Sequence, residues 1–200
     1  METKIENVLP FAKRKKLLGM IRKAKYCFAW VLIYREDGEY IQVTKGSLKN
    51  IIENASGDTL NLMLNERNEL LMLLRSKTAS LGAGQWGVPA GKIENGETPR
   101  EAARREMCEE IGGGHSVKEI DYVGPVRDTY YGGQFEIHLF KYLWSSGTIS
   151  LNREHFAYAW VSKESICNYD VMKGIEEDIV IMDIWPTSFL NQSLVPKHLL

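Results

Sequence analysis

Residues Gly91–Gly112 read GKIENGETPREAARREMCEEIG, a run that joins a polar loop to a helical segment. Thr98 and Glu101 have the spacing of a capping box, with Pro99 at the first helical position, so a helix is predicted to begin at Thr98. Gly112 predicts its end, because glycine readily adopts the left-handed conformation that follows a helix C-terminus.

Three glutamates share one face of this predicted helix. Glu106, Glu109 and Glu110 follow the spacing i, i+3, i+4. Like charges at this spacing oppose helix formation by about 0.2–0.5 kcal/mol per pair, and acidic groups near a helix C-terminus oppose its dipole. A compensating cation is therefore expected, and oxygen ligands favour Mg²⁺, with Mn²⁺ as the alternative. Ala102 lies in the same arc and is small, which predicts an open approach to the face.

Arg105 is the local cation that this helix itself provides. Its spacing lets it reach Glu101 and Glu109, one helical turn away on either side. It can also reach a carboxylate of the preceding loop, such as Glu97. We therefore expect Arg105 to be held by several acidic side chains at once.

The fixed positions in this stretch resemble the Nudix box, G-x5-E-x7-R-E-U-x-E-E-x-G-U, in which U is a bulky aliphatic residue. The matching residues are Gly91, Glu97, Arg105, Glu106, Glu109, Glu110 and Gly112. Met107 fills the first U position, and Gly113 departs from the last. The resemblance covers 23 of the 200 residues and implies an α/β/α sandwich with a mixed β-sheet. It also implies Mg²⁺-dependent hydrolysis of a nucleoside diphosphate linked to a further group X.

The resemblance implies a role for each of these polar residues. The implied metal ligands are Glu106, Glu109, Glu110 and the backbone carbonyl of Ala90. Glu97 and Arg105 correspond to an orienting pair. Glu154 lies in a loop where family members often carry an additional metal ligand or base. An ordinary exposed carboxylate is the alternative for Glu154.

Two residues outside the box are candidates for contact with substrate. Arg75 ends a predicted strand before the active-site loop, where a guanidinium can bind phosphate; a plain surface arginine is the alternative. Tyr130 follows the box at a place where dinucleoside polyphosphate hydrolases of the family carry a tyrosine. Core packing is the alternative for Tyr130.

Several function classes remain open at this point. The main hypothesis is a pyrophosphohydrolase acting on a nucleoside triphosphate or on a nucleotide sugar such as ADP-ribose. The alternatives are a dinucleoside polyphosphate hydrolase and a non-catalytic, nucleotide-binding Nudix module. Degenerate versions of the box usually lose carboxylates, and this chain keeps all of them, which favours catalysis. An RNA-decapping enzyme that uses basic residues 13–25 is a further alternative.

Composition limits the classes of partner. The formal net charge is −1, so no global field favours nucleic acid or a membrane surface, and we expect a small nucleotide as the partner. Three cysteines without metal-type spacing indicate a reducing compartment, and no secretory signal or long apolar run is recognised. The expected location is therefore the cytoplasm.

Patterning predicts a single catalytic domain with an extension. We place an N-terminal extension at residues 1–54, the Nudix-like domain at 55–190 and a tail at 191–200. The extension is predicted to hold a basic helix within residues 1–25, a hairpin and a short helix after Ser47. The predicted strands are Tyr26–Tyr34, Glu39–Thr44, Thr59–Leu64, Glu69–Arg75, Trp86–Val88, Val117–Asp128, Gln134–Trp144 and Phe156–Val161. A second helix is predicted over Ile175–Trp185.

The extension is predicted to form a homodimer interface, because an isolated two-stranded hairpin is marginally stable and its edges favour strand pairing. The alternative is an extension that covers its own domain. Light scattering of the full chain should show a dimer at assay concentration, and deletion of residues 1–46 should abolish it. A strict monomer, or a truncated protein that still dimerises, would contradict this assignment.

Overall fold

The computed structural model describes residues 57–131 and 135–200, together with the backbone of two short strands, β1 (Val31–Tyr34) and β2 (Tyr40–Val43). These two strands pair antiparallel, with Val31 opposite Val43 and Tyr34 opposite Tyr40. They agree with the predicted hairpin. The helices predicted within residues 1–25 and after Ser47 lie outside the described residues. Residues 1–55 and 56–200 form separate compact units, and the second holds every feature discussed below.

Seven strands of the described chain form a mixed sheet. They are β3 (Asp58–Leu64), β4 (Leu70–Arg75), β5 (Trp86–Gly87), β6 (Ala90–Lys92), β7 (His115–Arg127), β8 (Glu136–Gly147) and β9 (His155–Val161). The central pair, β3 and β8, is parallel, and the other pairs are antiparallel. Strand β4 is buried on both faces over Leu70–Leu73, as its unbroken apolar run predicts.

Helix α1 (Pro99–Ile111) begins and ends where the sequence signals place it. Thr98 Oγ1 accepts a hydrogen bond from the backbone N–H of Glu101, and Glu101 Oε2 accepts one from the backbone N–H of Thr98. Gly112 follows with φ of 79°, a conformation that costs glycine little. The capping-box prediction is confirmed.

One face of the sheet packs against α1. Met107 and Ile111 of the helix lie in a buried cluster with Leu71, Leu73 and Phe140 of the strands. Full burial of an apolar side chain of this size contributes about 1.5–3 kcal/mol. This packing fixes the helix over β3, β4 and β8. Its carboxylate face is thereby held at the edge where β6 runs.

The opposite face of the sheet carries helix α2 (Ile175–Ile181). Lys141 of β8 reaches the end of this helix, where its Nζ donates to the carbonyls of Met182 and Asp183 over 2.8 and 3.1 Å. With one helix on each face, the predicted α/β/α architecture with a mixed sheet is confirmed. In the described part of the chain, no helix is long and apolar enough to cross a membrane.

Helix α2 is shorter than the predicted span Ile175–Trp185. Asp183 has φ of 50°, which turns the chain away from the helix axis one residue after the C-cap Met182. Trp185 is nevertheless buried, and its Nε1 donates to the carbonyl of Asn68 over 3.1 Å. The apolar pattern predicted the burial of Trp185 correctly but the end of the helix incorrectly. Buried residues that follow a helix can keep the same spacing as the buried residues within it.

The remaining strands follow the predicted ranges to within a few residues, except β6 (Ala90–Lys92), which was not predicted. Strand β7 bends at Gly124-Pro125, where the pairing with β8 loses register between Val123 and Val126. Four short 3₁₀ segments follow β9: Ile166–Asn168, Thr187–Phe189, Gln192–Leu194 and Lys197–Leu199.

Candidate active site

Strand β6 lies directly beside the carboxylate face of α1. The backbone N–H of Ala90 donates to Glu110 Oε2 over 2.9 Å, which joins the strand to the second half of the helix. Glu110 is only 2% exposed. A carboxylate in this position is fixed in orientation by the backbone that precedes the box.

Gly91 allows the closest approach between the loop and the helix. A Cβ atom built on Gly91 would lie 1.9 Å from the carboxyl carbon of Glu106 and 2.1 and 2.2 Å from its two oxygens. The Glu106 carboxylate therefore occupies the space that any larger residue at position 91 would need. This contact explains on steric grounds why the first residue of the box is glycine.

Arg105 connects the loop and the helix through five hydrogen bonds. Its Nε and Nη2 donate to the two carboxylate oxygens of Glu97 over 2.8 and 3.0 Å, a bidentate pair. Nη1 donates to Glu106 Oε1 over 2.6 Å and to Glu109 Oε2 over 3.3 Å. Nη2 also donates to the carbonyl of Lys92 over 2.8 Å. The expected contacts to Glu97 and Glu109 are present.

The expected contact between Arg105 and Glu101 is absent: the hydrogen bonds of Arg105 go to Glu97, Glu106, Glu109 and the Lys92 carbonyl. The Glu101 carboxylate is engaged with Thr98, from whose backbone N–H and Oγ1 it accepts hydrogen bonds over 2.8 and 2.7 Å. The same hydrogen bonds hold the pKa of Glu101 below its usual range. Helix capping and the Arg105 network thus use separate glutamates.

The site carries more negative charge than Arg105 offsets. Burial raises the pKa of Glu110 to about 8, and the charges of Glu106 and Glu154 add to this rise, while the Ala90 N–H and Arg75 oppose it. Burial also raises the pKa of Glu106, against the opposing effect of Arg105. Carboxyl groups in this condition are stabilised as anions when a cation lies beside them.

His155 completes the buried end of the site. Its Nε2 lies 3.8 Å from Glu110 Oε1. Burial, together with the charge of Arg75, lowers the pKa of His155 to about 4. With its pKa lowered in this way, His155 is uncharged near pH 7, so its contact with Glu110 is not an ion pair. His155 supplies no positive charge to the carboxylates.

Glu154 lies at the open edge of the same site. The loop that carries it is attached to the end of β4, because the backbone N–H of Ser76 donates to the Glu154 carbonyl over 2.7 Å. Its backbone N–H donates to Asn152 Oδ1 over 3.0 Å, and its side chain is exposed. Its charge acts on both Glu106 and Glu110. The structure therefore brings Glu154 to the box carboxylates, although 44 residues separate it from Glu110.

The donor set fits a hard divalent cation that retains water. Within residues 57–131 and 135–200, no three Asp, Glu, His or Cys side chains are already arranged around one point as metal ligands. Mg²⁺ typically takes one or two carboxylates and completes its shell with water and substrate phosphates. Glu106 and Glu110, oxygen donors with raised pKa values, match that pattern. Glu109 is more exposed and accepts from Arg105.

A cavity of about 520 Å³ opens next to β6. Ala90 and Gly91 line it, so it adjoins the box carboxylates, and Arg75 lines it from β4. Arg75 Nε donates to the carbonyl of Leu81 over 3.0 Å. Tyr131 lines the cavity, whereas Tyr130 is absent from the described lining. The charged groups of the lining are Asp58, Arg75, Lys92, Arg127, Asp128, Lys173, Glu177 and Asp178.

Comparison with known proteins identifies the family. The NUDIX domain family matches residues 58–180, more than half of the chain. The chain belongs to the Nudix family. Nucleoside triphosphatase NudI of Escherichia coli O139:H28 is 33% identical over 97 residues, which cover 44% of this chain and 69% of that protein. The predicted Nudix fold and pyrophosphohydrolase class are confirmed at the level of the family.

Solved structures support the same fold. An ADP-ribose pyrophosphatase from Streptococcus suis 89-1591 superposes with a TM-score of 0.52 at 15% identity, over 64% of this chain and 90% of that chain. The DR0079 protein of Deinococcus radiodurans superposes with a TM-score of 0.50 at 19% identity, over 78% of this chain and 99% of that chain. At these identities the likeness concerns the fold alone.

The sequence interpretation missed two features of the site. Ala102, expected to leave the carboxylate face open, is fully buried. Glu177 and Asp178 line the cavity, yet an acidic run at a helix start is usually solvated and gave no sign of burial. The helical spacing of the apolar residues in α2 was the only sequence signal that this helix is packed.

We predict that Gly91→Ala disables the Nudix site, because the new methyl group would displace the Glu106 carboxylate. Turnover and metal affinity should both fall by at least about tenfold with the fold intact, as measured by steady-state kinetics, metal titration and circular dichroism. Gly113→Ala is the matched control, since a Cβ there meets nothing within 4 Å. Equal activity of the two variants would show that the Gly91 contact is dispensable.

Proposed function

We propose that this Nudix protein is a Mg²⁺-dependent hydrolase that cleaves a phosphoanhydride bond of a nucleoside diphosphate linked to a further group. A nucleoside triphosphate is the first substrate to consider, because the relative at 33% identity is called a nucleoside triphosphatase. A nucleotide sugar such as ADP-ribose is the second. The observation that carries the proposal is the excess of buried acidic groups beside β6, next to a cavity large enough for a nucleotide.

The proposed residue roles follow from position and charge. Glu106 and Glu110 would hold the metal, with Glu109 and the Ala90 carbonyl as the further ligands expected from the box. When bound, Mg²⁺ would neutralise phosphate charge and lower the pKa of a coordinated water. Arg105 keeps Glu106 in place and ties it to Glu97.

The substrate side of the site contributes charge and a base. Arg75 lines the cavity and can offset phosphate charge there. Glu154 is exposed at the edge of the carboxylate cluster, where it can accept the proton of the attacking water. The new P–O bond to water forms as the anhydride P–O bond breaks, so each product keeps a phosphate group.

The other expectations remain proposals at this stage. We propose that the partner is a small nucleotide and that nucleic acid and membranes are not substrates. A homodimer through residues 1–54 and a cytoplasmic location are proposed on the sequence grounds given above. Among the described residues, Cys108 and Cys167 are unpaired thiols, which agrees with a reducing compartment.

We predict that Glu109→Gln and Glu110→Gln each lower turnover by orders of magnitude, because each removes an acidic group from the metal-binding face. A panel of nucleoside triphosphates, ADP-ribose and dinucleoside polyphosphates incubated with Mg²⁺, with products separated by chromatography, gives the substrate and the cleaved bond. Glu66→Gln, at an exposed turn, is the control. Near-wild-type turnover in either box variant at saturating Mg²⁺ would overturn the assignment. Binding without turnover in the wild type would favour the non-catalytic alternative.

We also predict that Mg²⁺ or Mn²⁺ stabilises the fold, because a cation relieves the repulsion among the box carboxylates. A ligand that binds only the folded state at a hundredfold excess over Kd adds about 2.7 kcal/mol. For a protein of this size, that gain raises the melting temperature by about 5–10 °C. Differential scanning calorimetry with and without metal measures the shift, which should shrink in Glu110→Gln. A melting temperature indifferent to both metals would contradict a metal site.

A further inference from the structure

The loop between β8 and β9 is fastened to the C-terminal end of α1. The last carbonyl groups of an α-helix have no partner within the helix. Here the backbone N–H of Ser150 donates to the carbonyl of Ile111 over 2.9 Å, and the N–H of Asn152 donates to the carbonyl of Glu110 over 3.3 Å. A Cβ built on Gly112 would lie 3.2 Å from the Cβ of Ser150, so glycine leaves the loop room to approach. The loop thus caps the helix that carries the box glutamates.

The side chain of Asn152 extends this attachment to Glu154. Asn152 Oδ1 accepts from the backbone N–H of Glu154 over 3.0 Å, the two-residue spacing of an Asx turn. The carbonyl of Glu154 accepts from the N–H of Ser76, the residue after β4, over 2.7 Å. Both backbone polar groups of Glu154 are therefore occupied, one by the loop that caps α1 and the other by the sheet. The backbone of the proposed base is fixed at two points.

The same oxygen of Asn152 also holds His155, whose Nδ1 lies 3.2 Å from it. Because this oxygen already accepts from a backbone N–H, it is the carbonyl end of the amide, and the ring nitrogen that faces it must carry the hydrogen. The other ring nitrogen, Nε2, lies 3.8 Å from Glu110 Oε1, and both of these side chains are almost completely buried. The imidazole ring therefore fills the space between Asn152 and the carboxyl group of Glu110.

Glu154 needs such support because of where its charge lies. Its side chain is exposed, and its charge contributes to the raised pKa values of Glu106 and Glu110. Repulsion from these groups favours movement of Glu154 away from the site. A general base must lie within hydrogen-bond reach of the proton that it accepts. The attachment of the Glu154 backbone opposes that movement.

We propose that Asn152 is a positioning residue that holds Glu154 at the metal site by joining its backbone to the end of α1. The inference rests on the proposed function, in which Glu154 accepts the proton of the attacking water, and adds the residue that keeps this base in place. In this role Asn152 contacts neither metal nor nucleotide. Its loss should slow the chemical step and leave the affinity for metal and substrate nearly unchanged.

Substitutions of Asn152 and of a second asparagine test the proposal. Asn152→Ala should lower kcat by about 10–100-fold with little change in KM or Mg²⁺ affinity, since a displacement of about 1 Å has an effect of that size. Asn152→Asp keeps an acceptor oxygen and should hold kcat within about threefold of the wild type. Asn65→Ala is the matched control, because Asn65 Oδ1 accepts from the N–H groups of Arg67 and Glu69 over 2.9 and 3.0 Å in the turn between β3 and β4. It should lower the melting temperature similarly and keep kcat.

A double-mutant cycle shows whether Asn152 acts through Glu154. In a Glu154→Gln background, Asn152→Ala should change kcat by less than about twofold, because the base is already lost. An equal loss in both backgrounds would overturn the proposal and leave Asn152 a purely structural residue. The proposal would also be overturned if Asn152→Asp were as slow as Asn152→Ala, or if Asn65→Ala lost as much kcat.

Hydrogen exchange of the Glu154 amide, measured by NMR, separates this inference from the proposed reaction because it requires no turnover. The amide should be protected in the wild type and in Asn152→Asp, and should exchange at least about tenfold faster in Asn152→Ala. An unprotected amide in the wild type would refute the attachment. Faster exchange in Asn152→Ala with wild-type kcat would refute the positioning role and leave the hydrolase intact. A protected amide in a wild-type protein that hydrolyses no nucleotide would instead refute the reaction, and with it the role of the attachment in catalysis.

Discussion

Arg105 is the interaction on which the geometry of the site depends. A planar guanidinium with five N–H donors is suited to several oxygen acceptors at once. In this chain it donates to a loop carboxylate, two helix carboxylates and the carbonyl of Lys92 in β6. Without it, the loop before α1 would lose its main tether to the helix, and the glutamates would repel one another. One cation nevertheless leaves the carboxylate cluster with excess negative charge, which is the electrostatic condition for a metal site.

The sheet determines where the two parts of the site meet. Helix α1 packs on one face through Met107 and Ile111, and α2 covers the other face. Strand β6 pairs with β3 at the edge of the sheet, with Gly91 opposite Thr59. Ala90 and Gly91 contact the carboxylates of α1 and also line the cavity that α2 closes. A three-residue strand therefore brings the acidic cluster and the pocket within reach of a single ligand.

Local signals made much of this arrangement predictable. Thr98, Pro99, Glu101 and Gly112 act within one or two helical turns, so the bounds of α1 follow from sequence alone. The resemblance to the Nudix box likewise predicted that Arg105 lies beside Glu97, because a long motif fixes the relative positions of its residues. The burial of Ala102 and the end of α2 depend on which strands pack against each helix, and no nearby residue encodes that. Asp178 is the extreme case, since its neighbours Glu176 and Glu177 make the segment look solvated.

The box glutamates and the acidic residues of the cavity wall differ in how their charge is balanced. The box glutamates keep polar partners from the protein: Arg105 for Glu106 and Glu109, and the Ala90 N–H for Glu110. Asp178 is 5% exposed and lies beside two further acidic groups, and burial together with the charges of Glu177 and Asp128 raises its pKa well above the usual range. Proteins retain destabilising groups mainly at functional sites, where stability is exchanged for activity. The acidic residues Asp128, Glu177 and Asp178 that line the cavity lie outside the Nudix box, so they are separate from the residues proposed to hold the metal.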